Sequence, residues 1–148
     1  MINAATRRLV RARANHLCEY CHALEEASTA LFEIDHILTK SLGGLDEIEN
    51  LALACQRCNA YRYNFTIGFD SETQQEVPLF NPRLQTWADH FIWTSDKLKV
   101  IGLTTIGRAT CDRLDLNDEH HNDSFIVKAR RLWLKAGWHP PDSDPFLQ

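Results

Sequence analysis

The pattern of apolar and polar positions predicts two short strands and a helix in the first half of the chain. Residues 32–37, Phe-Glu-Ile-Asp-His-Ile, alternate apolar with polar side chains, which is the period of a half-buried strand. Residues 50–54 form a second, mostly apolar run, and the Ser-Leu-Gly-Gly segment at 41–44 is typical of a turn between the two. A helix is expected from Asn59 to Asn64. The alternation places the side chains of Asp35 and His36 on opposite faces of the first strand.

Helical periodicity predicts one helix at the N-terminus and two in the second half. Asn3 is suited to cap a helix that runs to about Asn15. Asn81-Pro82 resembles a helix start, and a short amphipathic helix is expected from the spacing of Leu84, Trp87, Ala88 and Phe91. A last helix, capped by Asn122 or Asp123, is expected to place its basic residues opposite an apolar stripe of Phe125, Ile126, Ala129, Leu132, Trp133 and Ala136.

Between these helices the sequence predicts a loop, a hairpin and a further helix. Residues 65–78 contain a glycine, an acidic polar run and a proline, and are interpreted as a loop at the best internal boundary. Residues 91–94 and 98–104 flank a polar turn, and a helix is expected over 105–114. The whole pattern indicates an α+β fold. Residues 1–64 form its first part, and residues 65–148 form an extension of helix, hairpin, helix and helix docked on it.

Length and composition are those of one globular unit with an extension. The 148 residues are 44% apolar and 24% charged, without a repeat or a low-complexity tract. The N-terminal segment carries four arginines and lacks the apolar region of a signal peptide, and no run of eighteen apolar residues occurs. Neither secretion nor a membrane span is expected, and a cytoplasmic location is predicted.

Two Cys-x2-Cys pairs are the clearest candidate ligands in the sequence. Cys18 with Cys21, and Cys55 with Cys58, each have the spacing at which a tight turn directs two thiolates to one point. Together they predict a tetrahedral Zn²⁺ site. The alternative is a pair of disulfides in an exported protein, which the missing signal peptide disfavours. Cys111 is interpreted as a small buried residue of a helix.

Four segments of the first half carry a specific combination of residues. They are Cys-Glu-Tyr-Cys at 18–21, Ile-Asp-His-Ile at 34–37, Ser-Leu-Gly-Gly at 41–44 and Glu-Asn-Leu-Ala-Leu-Ala-Cys-Gln-Arg-Cys-Asn at 49–59. In this order they resemble the HNH endonucleases, over about residues 18–64. The resemblance implies a ββα-metal core that is stapled by a four-cysteine zinc site and hydrolyses DNA phosphodiester bonds.

The resemblance also implies a role for each polar residue of the motif. His36 is the expected general base, which takes a proton from the attacking water. Asp35 and Asn59 are expected to hold one divalent cation, Mg²⁺ or Mn²⁺, with Ni²⁺ as a further candidate. Asn50 is expected to hydrogen-bond the loop that positions His36. Asn59 departs from the family pattern, in which His is common, so the chain is an H-N-N variant. The four-cysteine zinc is then structural.

The charge pattern bears on the expected partner, which is double-stranded DNA. The net charge is −4, which weakens binding to a polyanion unless cations are clustered locally. Three arginines lie on one face of the predicted first helix, and the predicted DNA-binding residues are Arg7, Arg8, Arg11, Lys40, Arg57 and Arg62. An ordinary solvated basic face is the alternative interpretation.

Two other functions fit the same sequence. The first is a zinc-stapled nucleic-acid-binding module that has lost activity, with Asn59 as the first sign of decay. The second is a subunit of a larger DNA-processing complex, which the acidic net charge favours. Taken singly, each motif residue also has a structural explanation as a cap, a turn residue or a satisfied histidine. A protein partner or a homo-oligomer stays open.

Overall fold

The structure, a computed structural model, describes all residues from Met1 to Gln148. Its contacts divide the chain into two units. The first comprises Met1–Thr66 and Asn81–Gln85, and the second comprises Ile67–Phe80 and Thr86–Gln148. The fold is mixed, with helices and three separate antiparallel strand pairs. The predicted docking of residues 65–148 on residues 1–64 stays a prediction.

The first unit is built from two helices and one strand pair. Its elements are α1 (Ala4–Arg13), β1 (Glu33–His36), β2 (Leu51–Ala54) and α2 (Gln56–Arg62). The Asn3 side chain accepts a hydrogen bond from the Thr6 amide at 2.8 Å, so the predicted cap of α1 is confirmed. β1 and β2 are antiparallel, with Asp35 opposite Ala52 and His36 opposite Leu51.

The core of this unit explains the register of its strands. All four residues of β2 are buried, and α1 packs against this strand with Val10 at its only buried position. In β1 the side chain of Asp35 is buried, whereas that of His36 is partly exposed. A one-residue slip would exchange these two environments, so burial of one face fixes which polar residue reaches solvent.

The second unit contains two hairpins and three helices. The strands are β3 (Ile67–Asp70), β4 (Gln75–Pro78), β5 (Phe91–Trp93) and β6 (Val100–Gly102). The helices are α3 (Trp87–His90), α4 (Thr105–Arg113) and α5 (Phe125–Ala136). The predicted second hairpin and the helices near 105–114 and 125–136 are confirmed. Tryptophan and phenylalanine side chains pack in its core, with ring centroids of Trp87 and Phe91 5.0 Å apart.

The prediction of a loop over residues 65–78 was wrong. Residues Ile67–Asp70 and Gln75–Pro78 pair as a hairpin. In β3 the buried positions are Gly68 and Asp70, while the apolar Ile67 and Phe69 are exposed. A Cβ atom at Gly68 would lie 2.7 Å from Leu79 Cδ2, so a larger residue here would require the Leu79 side chain to shift. Buried and exposed positions do alternate in this strand, but its apolar side chains lie at the exposed positions. A search for apolar residues at buried positions therefore did not detect it.

Two helical predictions in the second half also need correction. The amphipathic helix through Leu84 and Phe91 is reduced to the four residues of α3. Leu84 is 83% exposed, and Phe91 begins β5. In α5 the predicted apolar stripe is only partly buried, because Phe125 is exposed and Arg130 is fully buried. No helix is long and apolar enough to cross a bilayer.

Candidate functional site

The four cysteines of the two pairs form one buried cluster in the first unit. Their Sγ atoms all lie within 4.8 Å of one another, and those of Cys21 and Cys55 are 3.7 Å apart. A tetrahedral zinc with Zn–S bonds of about 2.3 Å requires Sγ–Sγ edges of about 3.8 Å. None of the four is in a disulfide. The cluster therefore has the donor set and the dimensions of a four-thiolate zinc site.

Local structure explains why the two knuckles meet. The turn of the first knuckle closes with a hydrogen bond from the Cys18 amide to the Ala23 carbonyl at 2.8 Å. Cys55 caps α2, where its Sγ accepts from the Cys58 amide. Glu19 joins the two parts. Its amide donates to the Leu53 carbonyl and its carboxylate accepts from the Leu53 amide, both at 2.8 Å.

Four buried sulfurs can be thiolates together only if a cation balances their negative charge. Burial raises the pKa of the Cys18 thiol well above its ordinary value. Four thiolates confined to this volume would also repel one another. A bound divalent cation would offset both the cost of burying charged sulfurs and their mutual repulsion, and so it favours the deprotonated form.

His36 forms a close contact with an acidic residue that the sequence analysis did not single out. Its Nε2 lies 2.7 Å from Asp46 Oδ1, and its side chain is 20% exposed. The hydrogen bond with His36 is the largest of several contacts that lower the pKa of Asp46 well below its ordinary range, so this group is a carboxylate. A carboxylate only accepts, so Nε2 must donate, and in the neutral ring the lone pair is then on Nδ1.

The loop that carries Asp46 is held by Asn50. The Asn50 side chain accepts from the Leu38 amide at 2.8 Å and donates to the carbonyls of Leu38 and Leu45, both at 2.9 Å. A Cβ atom at Gly44 would lie 1.7 Å from the Leu38 carbonyl oxygen, so the loop closes this tightly only around glycine. These contacts are those expected of a residue that orders the loop beside His36.

Asp35 is one half of a buried ion pair. Arg62 Nη1 lies 3.1 and 3.0 Å from its two oxygens, and the Tyr20 hydroxyl donates to Oδ2 at 2.9 Å. The side chains of Asp35 and Arg62 are only 4% and 2% exposed. Arg62 also donates to the carbonyls of His36 and Ile37. Burial raises the pKa of Asp35, although the charge of Arg62 opposes this shift.

These contacts place a positive charge beside one of the two predicted cation ligands, Asp35. Both oxygens of Asp35 already face a guanidinium, which would repel a divalent cation bound there. Asn59 is a half-buried residue of α2, and no contact joins its side chain to Asp35. The structure therefore brings His36, Asp46 and Asn50 together, whereas a cation held by Asp35 and Asn59 stays a prediction.

The predicted DNA-binding cations fall into three groups. Arg7 and Arg8 are exposed on α1. Lys40 is exposed and lies 3.0 Å from Asp46, while the guanidinium of Arg57 lies 5.0 Å from the centre of the Tyr61 ring. Arg62 is buried in its pair with Asp35, and its contact with DNA stays a prediction.

Arg11 also departs from the prediction. Its side chain is 14% exposed, pairs with Glu25 at 3.1 Å and donates to the Phe32 carbonyl at 2.9 Å. It therefore fastens α1 to the chain before β1. Arg130, another basic residue expected on a surface, is also buried.

Sequence reasoning missed several polar residues that build this region. They are Glu19, Tyr20, Glu25, Asp46 and Arg83, and the last donates to the Leu51 carbonyl at 2.9 Å and to the Glu19 carboxylate. Of these residues, only Asp46 could have been singled out from the sequence, as an acidic residue in the glycine-containing segment after His36. The others pair with residues far away in the chain, and the sequence does not show which charged residues pair.

Comparison with known protein families identifies one match, and it covers the region of this site. A family model described as HNH endonuclease matches residues 18–65, which include all four clustered cysteines, Asp35, His36, Asn50 and Asn59. No curated protein and no solved structure matches the chain. The stretch from residue 18 to residue 65 is therefore similar to the HNH endonuclease domain over about a third of the chain.

Proposed function

We propose that this chain is an endonuclease that hydrolyses phosphodiester bonds of DNA, with His36 as the general base. The contact between His36 Nε2 and Asp46 is the observation that supports this role most directly. It directs the ring proton to Nε2, so Nδ1 is the atom that accepts a proton from the water attacking phosphorus. Asn50 holds the loop that carries Asp46. The expected products are a 5′-phosphate and a 3′-hydroxyl.

The proposed function includes a structural zinc at Cys18, Cys21, Cys55 and Cys58. Four thiolates leave no open position for water, so this ion stabilises the fold and takes no part in hydrolysis. It joins the knuckle after α1 to the start of α2, and so it holds β1 and His36 between two fixed points.

A second divalent cation, Mg²⁺, Mn²⁺ or Ni²⁺, would supply charge stabilisation at the leaving oxygen when bound. Asp35 and Asn59 are the ligands that the sequence proposes, but Arg62 faces Asp35. The proposal therefore rests on His36 and on the HNH match, and no step is assigned to a cation at Asp35.

Cleavage of supercoiled plasmid tests this function. The wild-type chain is incubated with each of the three metal ions and compared with His36→Ala and with His120→Ala, which removes an exposed histidine of the second unit. We expect relaxation or linearisation by the wild type and by His120→Ala, and a loss of roughly 10²- to 10⁴-fold in His36→Ala. Equal cleavage by His36→Ala would contradict the assignment of the base.

A nucleic-acid-binding module without activity is the second candidate, and the pairing of Asp35 with Arg62 favours it. It predicts that the wild type binds DNA but cleaves none with any of the three ions. Binding measured on the same protein samples separates the two functions, because His36→Ala of an enzyme loses cleavage and keeps binding.

A further inference from the structure

Helix α5 concentrates positive charge within an acidic unit. The second unit contains twelve Asp and Glu residues and eight Lys and Arg residues. Four of these eight cations lie in the twelve residues of α5, and none of the acidic residues does. Since the first unit has equal numbers of acidic and basic residues, the net charge of −4 belongs to the second unit, where α5 carries +4 and the remainder carries −8.

The inner face of α5 is anchored, which fixes the direction of its outer face. Ile126 and Arg130 are buried. Arg130 donates to the Leu98 carbonyl at 3.0 Å and to Asn117 Oδ1 at 2.9 Å, and its guanidinium lies 4.9 Å from the centre of the Trp93 ring. The helix is therefore held in one rotational setting.

Three cations form the outer face. Lys128, Arg131 and Lys135 are exposed and spaced at i, i+3 and i+7, so they line one side of the helix. None of them forms an ion pair. Arg131 affects Asp96 only at a distance, as a minor contribution to a lowered pKa whose largest cause is the hydrogen bond from Thr94.

We propose that this outer face of α5 binds the phosphate backbone of the nucleic acid, a proposal that rests on the proposed function. Lys128 and Lys135 are about 10.5 Å apart along the helix axis, a length over which duplex DNA carries about six negative charges. The acidic remainder of the second unit repels a polyanion, so contact is confined to this face.

The exposed apolar residues do not favour a membrane surface. Phe125 and Leu132 are each 64% exposed and lie beside the cations. A helix that lies in a bilayer interface buries a continuous apolar face. In α5 Ile126 is buried and Trp133 is half-buried, with its ring centroid 5.0 Å from that of Trp138, so these apolar side chains are covered at least in part by the protein itself.

Binding to a labelled 30-base-pair duplex tests the proposal in the full-length chain with His36→Ala, which prevents cleavage. The test variant adds Lys128→Gln, Arg131→Gln and Lys135→Gln. The matched control adds Lys97→Gln, Lys99→Gln and Arg113→Gln, the same change in charge within the same unit but outside α5. Fluorescence anisotropy is recorded between 50 and 300 mM salt, and circular dichroism verifies that each variant is folded.

We expect the α5 variant to bind about ten- to a hundredfold more weakly near 0.15 M salt. Its slope of log K against log[salt] should fall by about 2 to 3, since each phosphate contact contributes about 0.9. The control variant should retain most of the binding affinity and most of the salt slope. Unchanged binding and slope in the α5 variant, or an equal loss in the control, overturns the proposal.

Other occupants of this face give different results. If the same substitutions abolish pelleting with phosphatidylserine vesicles, or self-association in sedimentation, while duplex binding is unchanged, the proposal is wrong. Cleavage by the wild type is scored separately. Binding that depends on α5 without any cleavage contradicts the proposed function and supports the α5 surface.

Discussion

Arg62 Nη1 lies within 3.1 Å of both carboxylate oxygens of Asp35, in a pair that is almost fully buried. Asp35 directly precedes His36, so the polar pair of the motif divides into two environments. Asp35 points into the first unit, where it joins β1 to the last turn of α2. His36 points outward and contacts Asp46. The geometry thus separates a structural contact from a proposed chemical one in two adjacent residues.

Replacing Arg62 with Met should destabilise the first unit by about 3 to 5 kcal/mol, because it leaves the buried Asp35 carboxylate without its counter-charge. Urea unfolding measures this loss. Adding Asp35→Asn to Arg62→Met should restore part of the stability. Arg8→Met, at an exposed position of α1, serves as the control and should change little. A neutral effect of Arg62→Met would contradict the buried ion pair.

Asp46→Ala should lower the rate of cleavage roughly tenfold or more, since His36 then loses the carboxylate that directs its proton to Nε2. Plasmid cleavage under single-turnover conditions measures the rate. The adjacent Glu47→Ala removes an exposed carboxylate and should leave the rate unchanged. If both variants lose the same fraction of the cleavage rate, Asp46 acts through charge alone and does not position the ring.

One zinc ion per chain is expected by elemental analysis. Cys58→Ser should lose the zinc and unfold the first unit, because binding of a structural zinc is coupled to folding. Cys111→Ser changes a half-buried cysteine of α4 and should retain the full zinc content. Zinc bound equally by both variants would refute the four-cysteine site.

Asp70 should make the second unit sensitive to acid. It accepts hydrogen bonds from Arg108 Nε at 2.9 Å and from Thr73 Oγ1 at 2.7 Å, and the contact with Arg108 is the largest cause that lowers its pKa. A carboxyl with a lowered folded-state pKa stabilises the fold above its unfolded-state pKa, about 3.9, and loses this contribution as the pH falls further.

All four tryptophans belong to the second unit, so their fluorescence monitors its unfolding. Between pH 5 and pH 2.5 the wild type should lose more stability than Asp70→Asn, which has no charge to titrate. Glu76→Gln, at an exposed position of β4, should follow the wild type. Parallel curves for the wild type and Asp70→Asn would show that the pair with Arg108 does not affect acid stability.

Much of the candidate site was predictable because its determinants are local. A Cys-x2-Cys turn brings two thiolates together whatever surrounds it, and the order of cysteines, Asp35-His36 and Asn50 located the HNH stretch. The cap at Asn3 and the helix from Thr105 also follow from local hydrogen bonding and periodicity. The hairpin at Ile67–Pro78 was missed, because its buried positions are a glycine and an aspartate.

The sequence by itself determined the four-cysteine donor set, the two strands that flank the turn and the likeness of residues 18–65 to HNH endonucleases, since each depends on residues that are neighbours in the chain. Only the tertiary structure decided which charges are paired and which face solvent. Arg62 and Arg130 were expected at the surface, and both are buried. Their partners lie at least 13 positions away in sequence, and side-chain periodicity carries no information about contacts over that separation.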